Sequence, residues 1–431
     1  MLSQLSHVLV GVTDSIMVGH VGATSLAAAS LGNVVFNILL LFGIGVSFAI
    51  TPLVASAEGE HDPHKIGEVL KHGLVICVVN SMILIGVVFV GKNILYHIDQ
   101  PVEVVDLSIP YLSILMYSLL PVLIFQAFRQ FTDGLSKTKV SMIIMMGSVV
   151  VNVFLNYLFI YGHAGFPAMG LVGAGWASLI SRILMALAIV LYIYHAKRFR
   201  PYRSGFSFGN YSSNLFKQLL NIGLPAGLQF IFEVAAFDFS AIMMGWFGTN
   251  TLAAHQIAIN LATISYMTTS GLAAAATIRV SNQLGARNIP LLRELAFTLL
   301  GMALFAMLLW GILFIAGRHV LPTFYVDDLE VIRIAAPLLF VAGFFQLSDG
   351  AQVVCAGALR GLQDVKIPSL LIFIAYWVIG LPLGYYLGFK TSVGAAGIWI
   401  GLLIGLTVTA VAMFIRFQIL TKKLLVQFNQ H

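Results

Sequence analysis

Long apolar runs separated by short polar turns fill this chain from end to end. They predict twelve spans, at about 1–20, 27–56, 67–91, 104–126, 139–161, 171–195, 217–244, 252–282, 292–317, 332–358, 367–389 and 395–419. A helix that crosses a bilayer needs about 20 mostly apolar residues. The runs are continuous and show no two-residue alternation, so they predict helices and not a β-barrel. The second and eighth exceed one bilayer thickness, which tilt or protruding ends accommodate. The first, Met1 to Gly19, scarcely spans. We expect the native chain to begin further upstream, with the first helix shortened here.

The polar positions set topology. Lys and Arg gather at alternate ends of the runs. Eighteen of the 23 fall on one side, among them Lys65, Lys137, Lys197, Arg198, Arg200, Arg203, Arg287, Lys366 and Lys422. The positive-inside rule makes that side cytoplasmic, together with both termini. One long polar interruption stands out, 196–216, AKRFRPYRSGFSFGNYSSNLF. Its basic start, Pro201 and Gly/Ser/Asn content mark a linker. The expected organisation is a six-helix bundle over 1–196, a cytoplasmic linker over 197–216, and a second six-helix bundle with a short tail over 217–431.

The halves repeat each other. A shift of 226 residues aligns Met17, Gly19, Gly22 and Leu26-Ala27-Ala28 with Met243, Gly245, Gly248 and Leu252-Ala253-Ala254. The same shift carries Gly45, Ala49, Thr51, Val54 and Gly59 onto Gly271, Ala275, Thr277, Val280 and Gly285 without a gap. A shift of 227 lays DGLSKTK (133–139) on RGLQDVK (360–366). Six helices per half is an even number, so the bundles are expected to relate by a pseudo-twofold axis along the membrane normal. Parallel repeats of this kind place a transport pathway between bundles.

Composition narrows the class. The chain has 431 residues, 59% hydrophobic and 9% charged, with a mean hydropathy of +0.95. A soluble domain carries about 25% charged residues. The fold class is therefore an all-α polytopic membrane protein. The net charge of +6 reflects the cytoplasmic loops and carries no nucleic-acid reading. Cys77 and Cys355 lie within apolar runs and make neither a disulfide framework nor a metal motif. GxxxxGK[ST] and HExxH are absent and no strand-to-helix nucleophile elbow is read, so neither ATP hydrolysis nor an enzyme active site is expected, and no cofactor.

Chemistry then rests on the few ionisable residues inside spans. An acid at the centre of a spanning helix costs roughly 2.5–3.5 kcal/mol. Such residues usually face a protein-lined cavity and meet a cation, a proton or a partner. Glu233 lies in LQFIFEVAAFDF (228–239), with Asp238 five residues later, nearer the helix end. Asp14 lies in VGVTDSIMVGHVG, and Asp349 in FFQLSDGAQVV between Gln346 and Gln352 at helical spacing. Asn152 and Asn156, four apart, share a face of the fifth helix. The first half would thus hold Asp14 with Asn152 and Asn156, and the second Glu233 with Asp349. Carboxylates with neighbouring carbonyl and hydroxyl oxygens suit a hard cation such as Na⁺, and a carboxylate equally carries a proton. The residues alone leave both ions open. Glu233 does not align with Asp14, since the repeat carries it onto His7, so the scaffold is duplicated and the ion site is not.

Phe230, Phe237, Tyr157 and Tyr385 are candidates to line a path for flat cations through their π-faces, although core packing or lipid contact also explains each singly. Gln346, Gln352 and Asp238 join them as polar candidates. His255 reads as a packing histidine, Arg182 lacks an evident partner, and Pro225 and Pro382 predict kinks.

Taken together, these stretches resemble the MATE family of multidrug and toxic-compound exporters, most closely its NorM branch. The likeness rests on VTDSIMVGHVG (12–22), FRQFTDGLSKTK (128–139), NVFLNYLFIYG (152–162), FEVAAF (232–237), TLAAHQIAIN (251–260), IRVSNQLGA (278–286) and DGAQVVCAGALRG (349–361). It covers essentially the whole chain. The resemblance implies twelve helices around a central cavity and export of organic cationic drugs or dyes in exchange for Na⁺ or H⁺. The family's acidic positions match Asp14, Glu233 and Asp349, and its paired asparagines match Asn152 and Asn156. Asp238 departs from the pattern, which is usually apolar there. The protein is expected to act as a monomer among the lipids of the inner, cytoplasmic membrane, without nucleic-acid partners. The alternative is a flippase for lipid-linked glycans, whose cavity would call for cations to meet pyrophosphate.

Overall fold

The computed structural model describes residues 11, 13–97, 100–206 and 209–429. Residues 1–10 of the first predicted span, with His7, lie outside the described residues. Ten helical spans among those described are long and apolar enough to cross a membrane. Two further helices complete the twelve. The first, over 13–19 (α1), comes earliest among the described residues. The second is α10, Thr249–Gly285, whose Thr251, His255, Ser265, Thr269, Thr277 and Ser281 are all buried. These polar side chains lower its hydropathy, yet they face neighbouring helices, where hydroxyls bond to helix backbone.

The elements follow the predicted runs closely. α2 (Ala23–Ser47) and α3 (Ile50–Gly59) make the second span, and α4 (Pro63–Gly91) the third. α5 (Val102–Tyr117) and α6 (Leu119–Gly134) form one span broken at Ser118. Pro121 explains the break, because it has no N–H to donate to the Tyr117 carbonyl one turn back. α7 (Thr138–Tyr161) and α8 (Gly170–His195) finish the first half. The second half has α9 (Ser213–Gly245), α10, α11 (Ile289–Ala316) and α12 (Leu329–Gly361). It ends with α13 (Lys366–Phe373), α14 (Leu381–Lys390) and α15 (Ala396–Asn429). α9 runs on through Pro225 without interruption, so the kink expected there does not break the helix.

The chain forms two compact units, the division falling inside α9 between Gly227 and Leu228. In the first unit the start of α9 lies against α2. A Cβ on Gly223 would sit 2.6 Å from the Val46 carbonyl oxygen, and one on Gly227 would sit 2.9 Å from the Phe42 ring. Part of the stretch read as a linker lies on α4: a 3₁₀ helix, Lys197–Gly205, presses the Gly205 backbone against His64 and Gly67. Beyond it, Lys71 Nζ donates to the Asn210 carbonyl (2.6 Å) and the Ser212 N–H donates to His72 Nε2 (2.9 Å).

The internal repeat survives in local geometry. Gly22 and Gly248 precede α2 and α10 with φ of 155° and 118°, a region that favours glycine. His61 and Arg287 share φ of 57° and 56°, and Ser136 and Gln363 share 57° and 62°. The turns close with matching bonds: Asp62 N–H to Ala57 O at 3.1 Å and Asn288 N–H to Gln283 O at 3.0 Å. Both are the left-handed helix endings that satisfy orphan carbonyls. Side chains repeat too. Thr51 Oγ1 donates to the Gln130 carbonyl (3.1 Å) and Thr277 Oγ1 to that of Gly357 (2.8 Å).

Candidate functional site

In the first unit Asp14 is buried (8% exposed), as are Asn152 and Asn156. The i, i+4 spacing on α7 aims both amides to one side. Asn156 Nδ2 donates to Asp14 Oδ1 (2.5 Å) and to Asn152 Oδ1 (3.3 Å). Ser178 on α8 donates to Asp14 Oδ2 (3.2 Å) and accepts from Asn152 Nδ2 (3.3 Å). Three helices therefore converge on one carboxylate. The Asn156 Oδ1 oxygen is buried and has no hydrogen-bond partner among the described residues. A carboxylate beside an unengaged carbonyl oxygen is a donor set that fits a hard monovalent cation. Asn156→Leu is expected to lower the melting temperature in detergent, since Asp14 Oδ1 then loses its buried donor at a cost of about 1–3 kcal/mol. An unchanged melting temperature would mean that the bond does not matter to the fold.

Arg182 has partners that the sequence did not reveal. It stands one turn beyond Ser178 on α8 and donates to Ser118 Oγ at 2.5 Å. Its guanidinium lies 4.6 Å from the centroid of the Phe36 ring. It also interacts electrostatically with Asp14. The α5–α6 break frees Ser118 to receive it, and nothing in the spacing of the sequence signals that meeting.

In the second unit Glu233 sits part-buried at the middle of α9. Gln352 Nε2 donates to Glu233 Oε1 (3.1 Å), and Tyr376 OH donates to Gln352 Oε1 (3.2 Å). Asp349, 6% exposed, lies one turn before Gln352 on α12. Its carboxylate and that of Glu233 act on each other electrostatically. Arg360 and Tyr266 share the same neighbourhood. Like charges in a dry environment repel strongly, and a monovalent cation or a proton relieves that repulsion. Gln346 is fully buried and accepts from Ser265 (2.6 Å).

The aromatic candidates scatter. Phe237 packs against Phe345 and Tyr376, with centroids 6.1 and 5.8 Å apart, and Phe230 is part-buried on α9. Tyr157 is exposed and stacks on His163 at 4.2 Å. Tyr385 is exposed beside Phe389, at 5.0 Å. Asp238 is exposed on α9 and makes no ion pair among the described residues. His255 is buried and accepts from the Trp399 indole (3.1 Å), a packing arrangement.

Comparison with known proteins agrees with this architecture. The MatE family model matches residues 1–158 and 225–386. Over 426 residues the chain is 34% identical to a probable multidrug resistance protein NorM of Agrobacterium fabrum, spanning 98% of this chain and 92% of that one. The fold is similar to a crystal structure of MATE in the bent conformation, with a TM-score of 0.92 at 20% identity, covering 100% of this chain and 94% of the other. It is also similar to the eukaryotic MATE transporter AtDTX14, with a TM-score of 0.84 at 20% identity and coverage of 99% and 96%. A MOP superfamily transporter from Pyrococcus furiosus, described as having a binding pocket of reverse polarity, gives a TM-score of 0.88 at 20% identity, with coverage of 98% and 94%. With ten apolar spans, two repeated six-helix halves and matches along nearly its full length, this multi-pass membrane protein belongs to the MatE family of multidrug-resistance transporters.

Proposed function

We propose that the chain exports organic cations across the cytoplasmic membrane in exchange for Na⁺ or H⁺, by alternating access. One observation carries this reading: each unit contains a buried carboxylate cluster, Asp14 with Asn152, Asn156 and Ser178 in one, Glu233 with Asp349 and Gln352 in the other. A membrane helix accepts such acids where a cation neutralises them for part of a cycle. In the outward-facing state Na⁺ or H⁺ reaches the carboxylates and displaces a cationic drug. Each elementary charge moved inward in excess of the charge the drug carries out supplies about 2.3 kcal/mol across 100 mV, whereas a one-for-one exchange of monovalent cations is electroneutral and is driven by the coupling ion's concentration ratio.

Both termini then lie in the cytoplasm, the protein works as a monomer among membrane lipids, and the cargo is a drug or dye with a delocalised positive charge. Fold likeness does not choose the cargo, since a transporter of this fold with a reverse-polarity pocket is known. Charge favours a cation over the pyrophosphate of a lipid-linked glycan, because the deep ionisable groups are mainly acidic. The test is efflux of a fluorescent cation from preloaded cells. Expression of the protein is expected to speed dye loss, and collapsing both ion gradients with ionophores is expected to stop the gain. Gain that persists after collapse would remove the antiport reading.

A further inference from the structure

The eleventh span is not a uniform α-helix. Between α13 and α14 the seven residues Ile374–Gly380 form a π-helix. Such wide turns are rare and occur often at functional sites. Two local causes are visible. Pro382 cannot donate to the carbonyl of Val378 and crowds it. On the other side α15 offers glycine: a Cβ on Gly405 would fall 2.6 Å from the Ala375 carbonyl oxygen, so only a bare backbone admits the widened turn there.

The wide turn directs two consecutive side chains toward Glu233, Trp377 to α9 directly and Tyr376 by way of Gln352 on α12. The Trp377 indole donates to the Phe232 carbonyl at 3.0 Å, directly before Glu233 in the chain. Tyr376, fully buried, donates to Gln352, whose amide donates to Glu233. The Tyr376 bond also fixes which way the amide points, because Oε1 is engaged and Nε2 is left for the carboxylate. Glu233 is thereby held from two directions, its main chain through Trp377 and its carboxylate through Tyr376 and Gln352. Ring contacts close the seam, Phe232 with Phe373 at 5.0 Å and Phe239 with Trp377 at 6.2 Å.

We propose that Tyr376 and Trp377 are positioning residues for Glu233, and that the π-helical turn lets Trp377 bond α9 while Tyr376 bonds Gln352 on α12. This rests on the reading of Glu233 as a coupling carboxylate. An oriented carboxylate binds a cation more tightly than a mobile one, because less freedom is lost on binding.

The decisive variants are nearly isosteric: Tyr376→Phe and Trp377→Phe, each alone and combined with Gln352→Ala, in proteoliposomes with the driving cation varied. Tyr376→Phe is expected to raise the half-maximal cation concentration roughly three- to tenfold, the effect of one hydrogen bond, with the maximal rate retained. In the Gln352→Ala background Tyr376→Phe is expected to add nothing, because it acts through that amide. Trp377→Phe keeps its own effect there, because it acts through the main chain. A wild-type half-maximal concentration in Tyr376→Phe, or an undiminished effect without Gln352, would overturn the proposal. If the wild-type protein responds to neither cation, the antiport reading falls and the cradle is judged by fluorescence instead. In protein whose four other tryptophans are replaced by Phe, Glu233→Gln is expected to shift the Trp377 emission, and unchanged emission would count against the cradle.

Discussion

Glu233→Gln is expected to reduce cation-driven efflux to the level of empty vesicles while leaving the protein folded. Glutamine keeps the volume and an oxygen able to accept from Gln352 Nε2, the bond that now spans 3.1 Å. What disappears is the charge. Any cation bound there must offset the roughly 2.5–3.5 kcal/mol that an acid costs inside a membrane helix. Removing the charge should therefore weaken cation binding by roughly 70- to 370-fold. Asp349→Asn acts on the same cluster and should give a large loss of the same kind. Asp238→Asn should do much less, because that side chain is exposed and no buried group donates to it among the described residues. Efflux of a fluorescent cation, normalised to protein monodisperse in detergent, measures all three. A Glu233→Gln rate within twofold of wild type would defeat the assignment.

Gly357→Leu is expected to prevent assembly of the second unit. The seam between α10 and α12 is built on backbone approach: a Cβ at Gly357 would intrude on the Ala273 carbonyl, and one at Gly361 would lie 2.9 Å from that of Thr277. Across the same seam Thr277 donates to the Gly357 carbonyl and Ser281 to that of Gly361, at 2.8 and 2.9 Å. Small residues and hydroxyl bonds are how helices associate in lipid, where burial of apolar surface gives no advantage. Overpacking usually costs 1–3 kcal/mol, and here helix backbones must separate, so about 3 kcal/mol or more is expected. Gly357→Ala should fall between. Size-exclusion profiles after graded heating read the effect, and a wild-type profile for Gly357→Leu would show that the seam is more compliant than its geometry implies. The first unit places Gln130 at the equivalent position, so this glycine answers to its own contact and not to the repeat.

The fold was legible because apolar runs, turn glycines and basic loop ends are local signals that a bilayer enforces strictly. Positions such as Gly22 and Gly248 could be paired from residue identity alone, and both occupy the backbone region that favours glycine. α10 shows a limit of hydropathy, since its buried hydroxyls make it the least apolar of the long helices while serving its packing. The i, i+4 asparagines were also readable, because one helix fixes their common direction. Partners from other helices were not. Ser178, Tyr376 and the Ser118 partner of Arg182 come into play through tertiary contacts and a helix break, none of which carries a spacing signal. Pro225 predicts a local loss of one backbone bond, and α9 continues through it as a single helix. The aromatic candidates carry no shared spacing signal: Phe237 packs against Phe345 and Tyr376, whereas Tyr157 and Tyr385 are exposed.

The central claim is that carboxylates in the bundle interiors couple cation entry to drug exit. Purified protein in proteoliposomes, loaded with a fluorescent organic cation and given independently imposed Na⁺ and H⁺ gradients, tests it most directly. The account predicts dye movement against its own gradient when at least one cation flows the other way, and loss of that movement in Glu233→Gln. Dye movement that ignores both gradients, or an equal response in Glu233→Gln, would contradict it.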